Sequence, residues 1–295
     1  MNTHPNSSLG VTSFFQSALD MTRLSALGAQ NAKCMGSIKG AAAPLPVDRA
    51  AVGAVNEVLS GNVIGSGKNA CQRRRRVWLA ASTHDREEEI AALAHEGVIK
   101  AAARGQDDDT GVRASGHGDS DSVPLLVIIP RHPQRCARIV EALAKKHPHW
   151  EIALYSQLPS ISCLATVDLL VVDALGVMGE WYSIAEVALV GGSMVDGIGG
   201  HNIMEPALLG CVPLHGPFAF NGQHLIDALR QEDSSCIRQV CSCEELTAAV
   251  VDVLQEGGPS QSAVRAAAEK VRMSSCARLV DAVNDAIHGK PSKFN

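Results

Sequence analysis

From residue 77 onward the chain alternates between two hydrophobic patterns. Short runs, most of them apolar at nearly every position, recur: "VWLAAS" (77–82), "PLLVII" (124–129), "WEIALYS" (150–156), "LLVVD" (169–173), "VALVGG" (187–192), "CVPLHG" (211–216) and the more polar "CIRQV" (236–240). Continuous apolarity over so few residues marks strands buried on both faces, as in a parallel sheet. Between the runs lie segments of helical period. "THDREEEIAALAHEGVIKAAA" places Ile90, Leu93, Ala94 and Val98 on one face, and helices are predicted in "PRHPQRCARIVEALAKKH", "GEWYSIAE", "NIMEPALLG", "GQHLIDALRQE" and "CEELTAAVVDVLQE". Asp85 with Glu88 three residues on reads as a capping box. A long final helix over 260–288 would turn Val264, Val271, Leu279, Val283 and Ile287 inward. Strands alternating with helices of this length predict an α/β fold, a Rossmann-like parallel sheet flanked by helices.

Upstream, 13–30 reads as a helix with Phe14, Ala18, Met21 and Leu24 at helical spacing and Gly28 as its C-terminal cap. "AKCMGSIKG" is strand-like, "AAAPLP" a linker, 47–59 a weaker helix and 60–76 a loop. The basic run Arg73 to Arg76 reads as a solvated linker ahead of a strand. Residues 104–122 are polar and acidic and read as a disordered insertion.

Composition narrows the class. Hydrophobic residues make up 46% of the 295 positions but aromatics only 3%, so the core rests on Val, Leu, Ile and Ala. A net charge of −5 gives no footprint for a general nucleic-acid binder. The nine cysteines include no CxxC pair, which argues against a standard zinc site and for reduced thiols, and no metal is expected. No apolar run approaches the 18 residues or so of a membrane span, and "MNTHPNSSLG" is not a secretory signal.

In an open parallel sheet, ligands bind at the carboxyl ends of the strands, and the unusual residues fall there. After "VALV" the chain runs through Gly191, Gly192 and Ser193 to Gly200, His201 and Asn202, then enters a helix with Glu205 and Pro206. Glycines let backbone N–H groups approach a ligand, and a helix N-terminus adds donors, so this is a candidate anion site. Asn202 is the expected N-cap, and Glu205 is placed to accept ribose hydroxyls. "PRHPQR" supplies Pro130, Arg131, His132 and Arg135, guanidiniums suited to phosphate or carboxylate. Ser82, Thr83 and His84 either offer hydroxyls to a phosphate or cap the next helix.

The ordered set "WLAASTHDREEE", "IIPRHPQR", "VALVGGSMVDGIGGHNIMEPALLGCVPLHGP" and "FAFN" resembles the family of 3-deoxy-D-manno-octulosonic acid (Kdo) transferases of lipid A assembly. "QSALDMTRLSALGAQNAKCMGSIKG" resembles the same family just before its inter-domain linker, with Ser37 in place of the usual Asn. The resemblance implies a GT-B glycosyltransferase, of which this chain supplies the carboxyl-terminal, donor-binding half. Residues 1–45 would be the remnant of the amino-terminal domain and its linker, 46–76 a helix and loop, 77–259 the donor-binding domain, and 260–295 a crossing helix and tail.

It further implies CMP-Kdo as donor, with no separate cofactor, and a lipid A precursor (lipid IVA) as acceptor in an inverting transfer. Carried over by position, Arg131 and the Gly191–Ser193 turn would hold phosphate or carboxylate, Glu205 the ribose, and Asn202 and Asn221 would shape the pocket. Where the family reads D-T-x-G-E-L, this chain reads "DALGVMGEWY": Gly176 matches, Val177 stands at the glutamate, and Glu180 follows three residues later. The acceptor site, the catalytic base and the membrane anchor belong to the amino-terminal half, so the chain alone is expected to bind donor and turn over poorly. Location would be the cytoplasmic face of the membrane in a bacterium, or an organelle such as the mitochondrion in a eukaryote. The alternatives are a GT-B transferase or epimerase using a UDP-sugar, and a non-catalytic nucleotide-binding module.

Overall fold

The computed structural model describes residues 13–15, 18–29, 32–61, 74–110, 123–255 and 258–288. These divide into two compact units, one within 1–43 and 269–295, the other Pro44–Ala268.

The larger unit is built on a sheet of seven parallel strands: β3 (Val77–Thr83), β4 (Leu125–Pro130), β5 (Ile152–Leu154), β6 (Leu169–Val171), β7 (Val187–Val190), β8 (Val212–His215) and β9 (Arg238–Gln239). Their order is β5-β6-β4-β3-β7-β8-β9. The predicted fold class is the observed one. β3 sits at the centre, and from it the chain winds first toward β4 and later toward β7. The strand order therefore reverses at β3, and the crevice between the carboxyl ends of β3 and β7 is the topological switch point.

Alternate residues of the strands serve two helical layers. Val77, Leu79, Ala81, Leu125, Val127, Ile129, Leu170, Val172 and Ala188 pack with Val55, Leu59, Trp181, Tyr182 and Ile184 of α3 (Arg49–Leu59) and α6 (Met178–Ile184). α4 (Glu87–Thr110) lies against α9 (Cys243–Gln255). Their close approach is set at Gly97, where a Cβ would stand 2.5 Å from Thr247 Cγ2. The remaining helices of the unit are α5 (Cys136–Lys146), α7 (Met204–Leu208), α8 (Gln223–Glu232) and the start of α10 (Gln261–His288).

Several details depart from the pattern. Beyond the first turn of α4 the buried positions are Ala91, Ala92, Ala94, His95 and Val98, whereas Leu93 is exposed. Small alanines let the helix lie close to the sheet, and this rotates the bulkier leucine outward. α4 continues to Thr110, so the polar segment begins inside a helix, and 111–122 lies outside the described residues. Arg73 does too, but Arg74–Arg76 is no solvated linker. Arg75 is buried and donates from Nε to Val123 O and from Nη1 to Leu164 O, both at 2.8 Å. Arg74 reaches Asn56 Oδ1 at 2.8 Å, and Arg76 pairs with Glu186. The cations satisfy carbonyls and a carboxylate at the amino ends of the strands, which charge density alone does not reveal.

In the smaller unit, the predicted first helix begins later. Ser13–Phe15 is strand β1, paired in parallel with β2 (Ala32–Cys34), and α1 spans Ala18–Ala26. The aromatic pair Phe14–Phe15 suits an extended chain. Gly28 caps α1 with φ +97°, its N–H bonding Ser25 O while Ala29 N–H bonds Leu24 O, a Schellman end. α2 is Ile38–Ala41. Distal α10 buries Ser275 and Ala282 and approaches Gly36 and Ala41 through Arg278 and Cys276. Val283 and Ile287, expected inward, are exposed. The side chains facing the unit there are small and polar, and the larger apolar ones lie on the other face.

Candidate functional site

The site is assembled where β3, β4 and β7 end. β3 carries a bulge between Ala81 and Thr83, and Ser82 takes φ +55°, a left-handed backbone that is costly without glycine. Its carbonyl presses on Gly191, where a Cβ would lie 2.4 Å from Ser82 O. Only glycine permits this contact. Thr83 is buried and donates from Oγ1 to Glu88 Oε1 at 2.8 Å, while its carbonyl accepts Arg131 N–H at 3.0 Å. Strands β3 and β4 are thereby tied together beyond the ladder, with Pro130 the last residue of β4.

Three imidazoles converge above this floor. His84 and His201 stack with ring centroids 5.1 Å apart and planes 9° apart, and their Nε2 atoms share a hydrogen bond of 2.8 Å. His132 meets His84 edge-on at 6.1 Å. Desolvation lowers the His84 pKa; the nearby Glu87 opposes this, while His132 and Arg135 add to it. His84 is thus biased toward the neutral form, in which one ring nitrogen donates and the other accepts. Arg131 is exposed beside the trio and makes no side-chain ion pair or hydrogen bond among the described residues.

The glycine turn after β7 holds a different ligand from the one its sequence suggested. Glu87, wholly buried in the first turn of α4, accepts four backbone N–H groups: Gly192 at 2.7 Å and His84 at 2.9 Å on Oε2, Ser193 at 3.0 Å and Met194 at 2.9 Å on Oε1. The anion in this cradle is the protein's own. Gly192 has φ +69°, a backbone that turns its N–H toward the carboxylate. The loop then folds back, Gly200 N–H bonding Gly192 O and His201 N–H bonding Gly191 O. Ser193 Oγ donates to Val190 O at 2.5 Å and accepts from Gly216 N–H at 2.9 Å, so it fastens β7 to the end of β8.

The predicted capping box is likewise corrected, since Asp85 and Glu88 do not cap the helix. Glu88 and Asp85 both pair with Arg135, whose Nη1 lies 3.0 Å from Glu88 Oε1 and whose Nη2 lies 2.5 Å from Asp85 Oδ1. Arg135 therefore braces the β3–α4 turn instead of standing free for an anion.

Farther along the loop, α7 is a single short turn, too short for a helix-terminal anion site, and its N-cap is Ile203 and not Asn202. Asn202 still orders the entry: its Oδ1 accepts Met204 N–H and its Nδ2 donates to Glu205 Oε1, both at 3.2 Å. Asn221 donates to Ile198 O at 2.8 Å, and its N–H bonds Gly199 O, which closes the loop on itself. Gly176 (φ +81°) is exposed on the turn before α6. Glu180 binds Asp48 N–H through Oε1 at 2.9 Å, and its other oxygen is buried without a partner. That carboxylate secures the start of α3.

Of the sequence-predicted residues, Ser82, Thr83, His84, Pro130, Arg131, His132, Gly191, Gly192, Ser193, Gly200 and His201 are brought together at the switch point. Glu87 was missed and Glu88 was read only as half of a capping box; three consecutive glutamates opening a helix hid two that are buried.

No protein-family model matches the chain. It is 32% identical over 175 residues to a probable mitochondrial 3-deoxy-D-manno-octulosonic acid transferase of Arabidopsis thaliana, covering 59% of this chain and 34% of that protein. It is 28% identical over 231 residues to a 3-deoxy-D-manno-octulosonic acid transferase of Rickettsia bellii, covering 78% and 46%. The chain thus spans between a third and a half of the length of these relatives. A crystal structure of the C-terminal CMP-Kdo binding domain of WaaA from Acinetobacter baumannii superposes with TM-score 0.50 at 25% identity, covering 67% of this chain and 89% of that domain. By sequence and by fold, the chain is similar to Kdo transferases and to the CMP-Kdo binding domain of one of them.

Proposed function

We propose that this chain is the donor-binding part of a GT-B Kdo transferase, binding CMP-Kdo for transfer of Kdo to a lipid A precursor. The observation that carries the reading is the match to nearly all of a CMP-Kdo binding domain, with the histidine trio and Arg131 at the switch point of the sheet. CMP-Kdo presents a phosphodiester, a sugar carboxylate and a ribose. Arg131 meets one anionic group as a planar, permanently charged donor. His84 and His201 supply ring N–H groups beside it, and Glu205, steadied by Asn202, accepts ribose hydroxyls.

An inverting transfer onto a sugar hydroxyl needs a positioned base. We assign none among these residues: the carboxylates at the strand ends are committed to internal bonds. The base, the acceptor site and the membrane attachment are proposed to lie in a further domain, as the greater length of the relatives suggests. Among the described residues no helix is long and apolar enough to cross a membrane.

Isothermal titration of the chain with CMP and with UDP-GlcNAc tests the reading. Saturable binding of CMP with little or no response to UDP-GlcNAc is expected. Preference for UDP-GlcNAc would move the chain to the UDP-sugar enzymes, and binding of neither would remove the donor-site assignment.

A further inference from the structure

A glycine-rich turn at the end of a parallel strand ordinarily offers its N–H groups to a ligand's phosphate. Here they are already used. A carboxylate has about four lone-pair sites, and Glu87 fills them with the N–H groups of His84, Gly192, Ser193 and Met194 at 2.7–3.0 Å. Two of its bonds lie on one oxygen and two on the other, and the side chain is wholly buried. A second anion cannot enter the cradle without expelling the first. The carboxylate also joins the two loops that carry the imidazoles: His84 is bonded directly, and His201 follows through its N–H bond to Gly191 O and the Gly200 bond to Gly192 O.

We infer that Glu87 is a positioning residue, an internal anion that closes the glycine turn to ligand phosphate and holds His84 against His201. The ligand's negative charge is then received by the imidazole trio and Arg131 and not by the turn. This last part rests on the donor-binding reading; the closure of the turn does not.

The rival arrangement makes Glu87 a stand-in that a bound phosphate displaces. The two differ in sign. If Glu87 competes with the ligand, removing its charge leaves CMP affinity unchanged or raises it. If Glu87 positions the site, Glu87→Gln weakens binding, because the amide NH2 confronts two N–H groups that it cannot accept.

The test combines hydrogen exchange, histidine NMR and CMP titration on the full chain. In the ligand-free wild type, the amides of Gly192, Ser193 and Met194 are expected to exchange slowly, and CMP should leave them unchanged while moving the His84 and His201 ring signals. In Glu87→Gln those amides should exchange at least tenfold faster, and CMP affinity should fall at least tenfold. The His84 midpoint should also move to lower pH, since Glu87 opposes the lowering caused by burial. The other groups facing His84, namely His132, His201, Arg135 and Glu88, stay in place. A carboxylate that served the fold without lying beside His84 would leave that midpoint in place in a variant that keeps its fold.

Fast exchange of 192–194 in the free wild type, or protection appearing only with CMP, overturns the inference. So does a Glu87→Gln protein that binds CMP as tightly as the wild type. If the variant does not fold, the wild-type exchange pattern still decides. If the wild type binds no CMP, the donor reading fails, and slow exchange at 192–194 still upholds the closed turn.

Discussion

His95 shows how one buried side chain sets a property of the protein. Trp78 Nε1–H can only donate, and it bonds His95 Nδ1 at 3.0 Å, so the imidazole carries its proton on Nε2, which faces Asp168 O at 3.1 Å. Complete burial lowers its pKa to about 3, against 6.5 ordinarily. Between these values the unfolded chain binds a proton that the folded chain does not. Stability from this group is therefore complete above pH 6.5 and declines as pH falls toward 3. Urea unfolding should show a loss of about 2 kcal/mol between pH 7 and pH 5 from this histidine. Burial lowers the His84 and His215 pKa values as well, and they add in the same sense. His95→Gln should flatten the slope while keeping a donor and an acceptor. An unchanged slope would show that His95 does not stay neutral when folded. At Gly191 the constraint is steric: Gly191→Ala drives a Cβ into the Ser82 carbonyl, and thermal unfolding should register about 2–3 kcal/mol of destabilisation. Neither role is legible in the sequence. A lone histidine in a helix and one glycine of a pair carry no mark of what packs on them.

At the scale of elements, apolar runs located the five inner strands of the large sheet because each is buried on both faces, so no alternation is needed to find them; the edge strands β5 and β9 are only partly covered. Helices were found where a face alternates clearly, as in α5 and α8. The pattern failed where sterics overrode it: Leu93 was displaced by alanines, and Ser13–Phe15 was claimed by a strand partner some twenty residues away. Arg74–Arg76 is the sharpest failure, since charge usually means solvent. Arg75 instead closes two carbonyls, the part-buried one of Val123 just before β4 and the buried one of Leu164 ahead of β6. Arg75→Ala leaves both without a donor and should cost about 2–5 kcal/mol, read from chemical denaturation. Arg75→Lys, with one compact ammonium in place of the fork, should recover part of that loss. Loss of less than about 0.5 kcal/mol in Arg75→Ala would mean that water replaces the guanidinium.

For the molecule as a whole, the site was legible in position and misread in part of its wiring. The rule that ligands sit beyond the carboxyl ends of parallel strands located Arg131, His84 and His201 correctly at the switch point. It could not say which N–H groups and cations are already spent inside the protein. The turn's amides go to Glu87, and Arg135 goes to Asp85 and Glu88, which leaves Arg131 as the cation of "PRHPQR" without an internal partner among the described residues. That asymmetry makes a prediction about binding. If CMP is held at 100 times its Kd, it should stabilise the wild type by about 2.7 kcal/mol, visible as a rise in Tm. Arg131→Ala removes one charge-assisted contact of about 1.5–3 kcal/mol, so Kd should rise about 10- to 100-fold and the stabilisation at the same CMP concentration should fall to about 1.4–0.4 kcal/mol, with the Tm response reduced in proportion. The ligand-free stability of Arg131→Ala should match the wild type, because an exposed side chain without an internal bond has nothing to lose on folding. Arg135→Ala should behave oppositely, losing stability before any ligand is added, because Glu88 is left buried without its partner. Measured side by side by thermal unfolding with and without CMP, the two variants separate the arginine proposed to meet the ligand from the arginine that builds the floor beneath it.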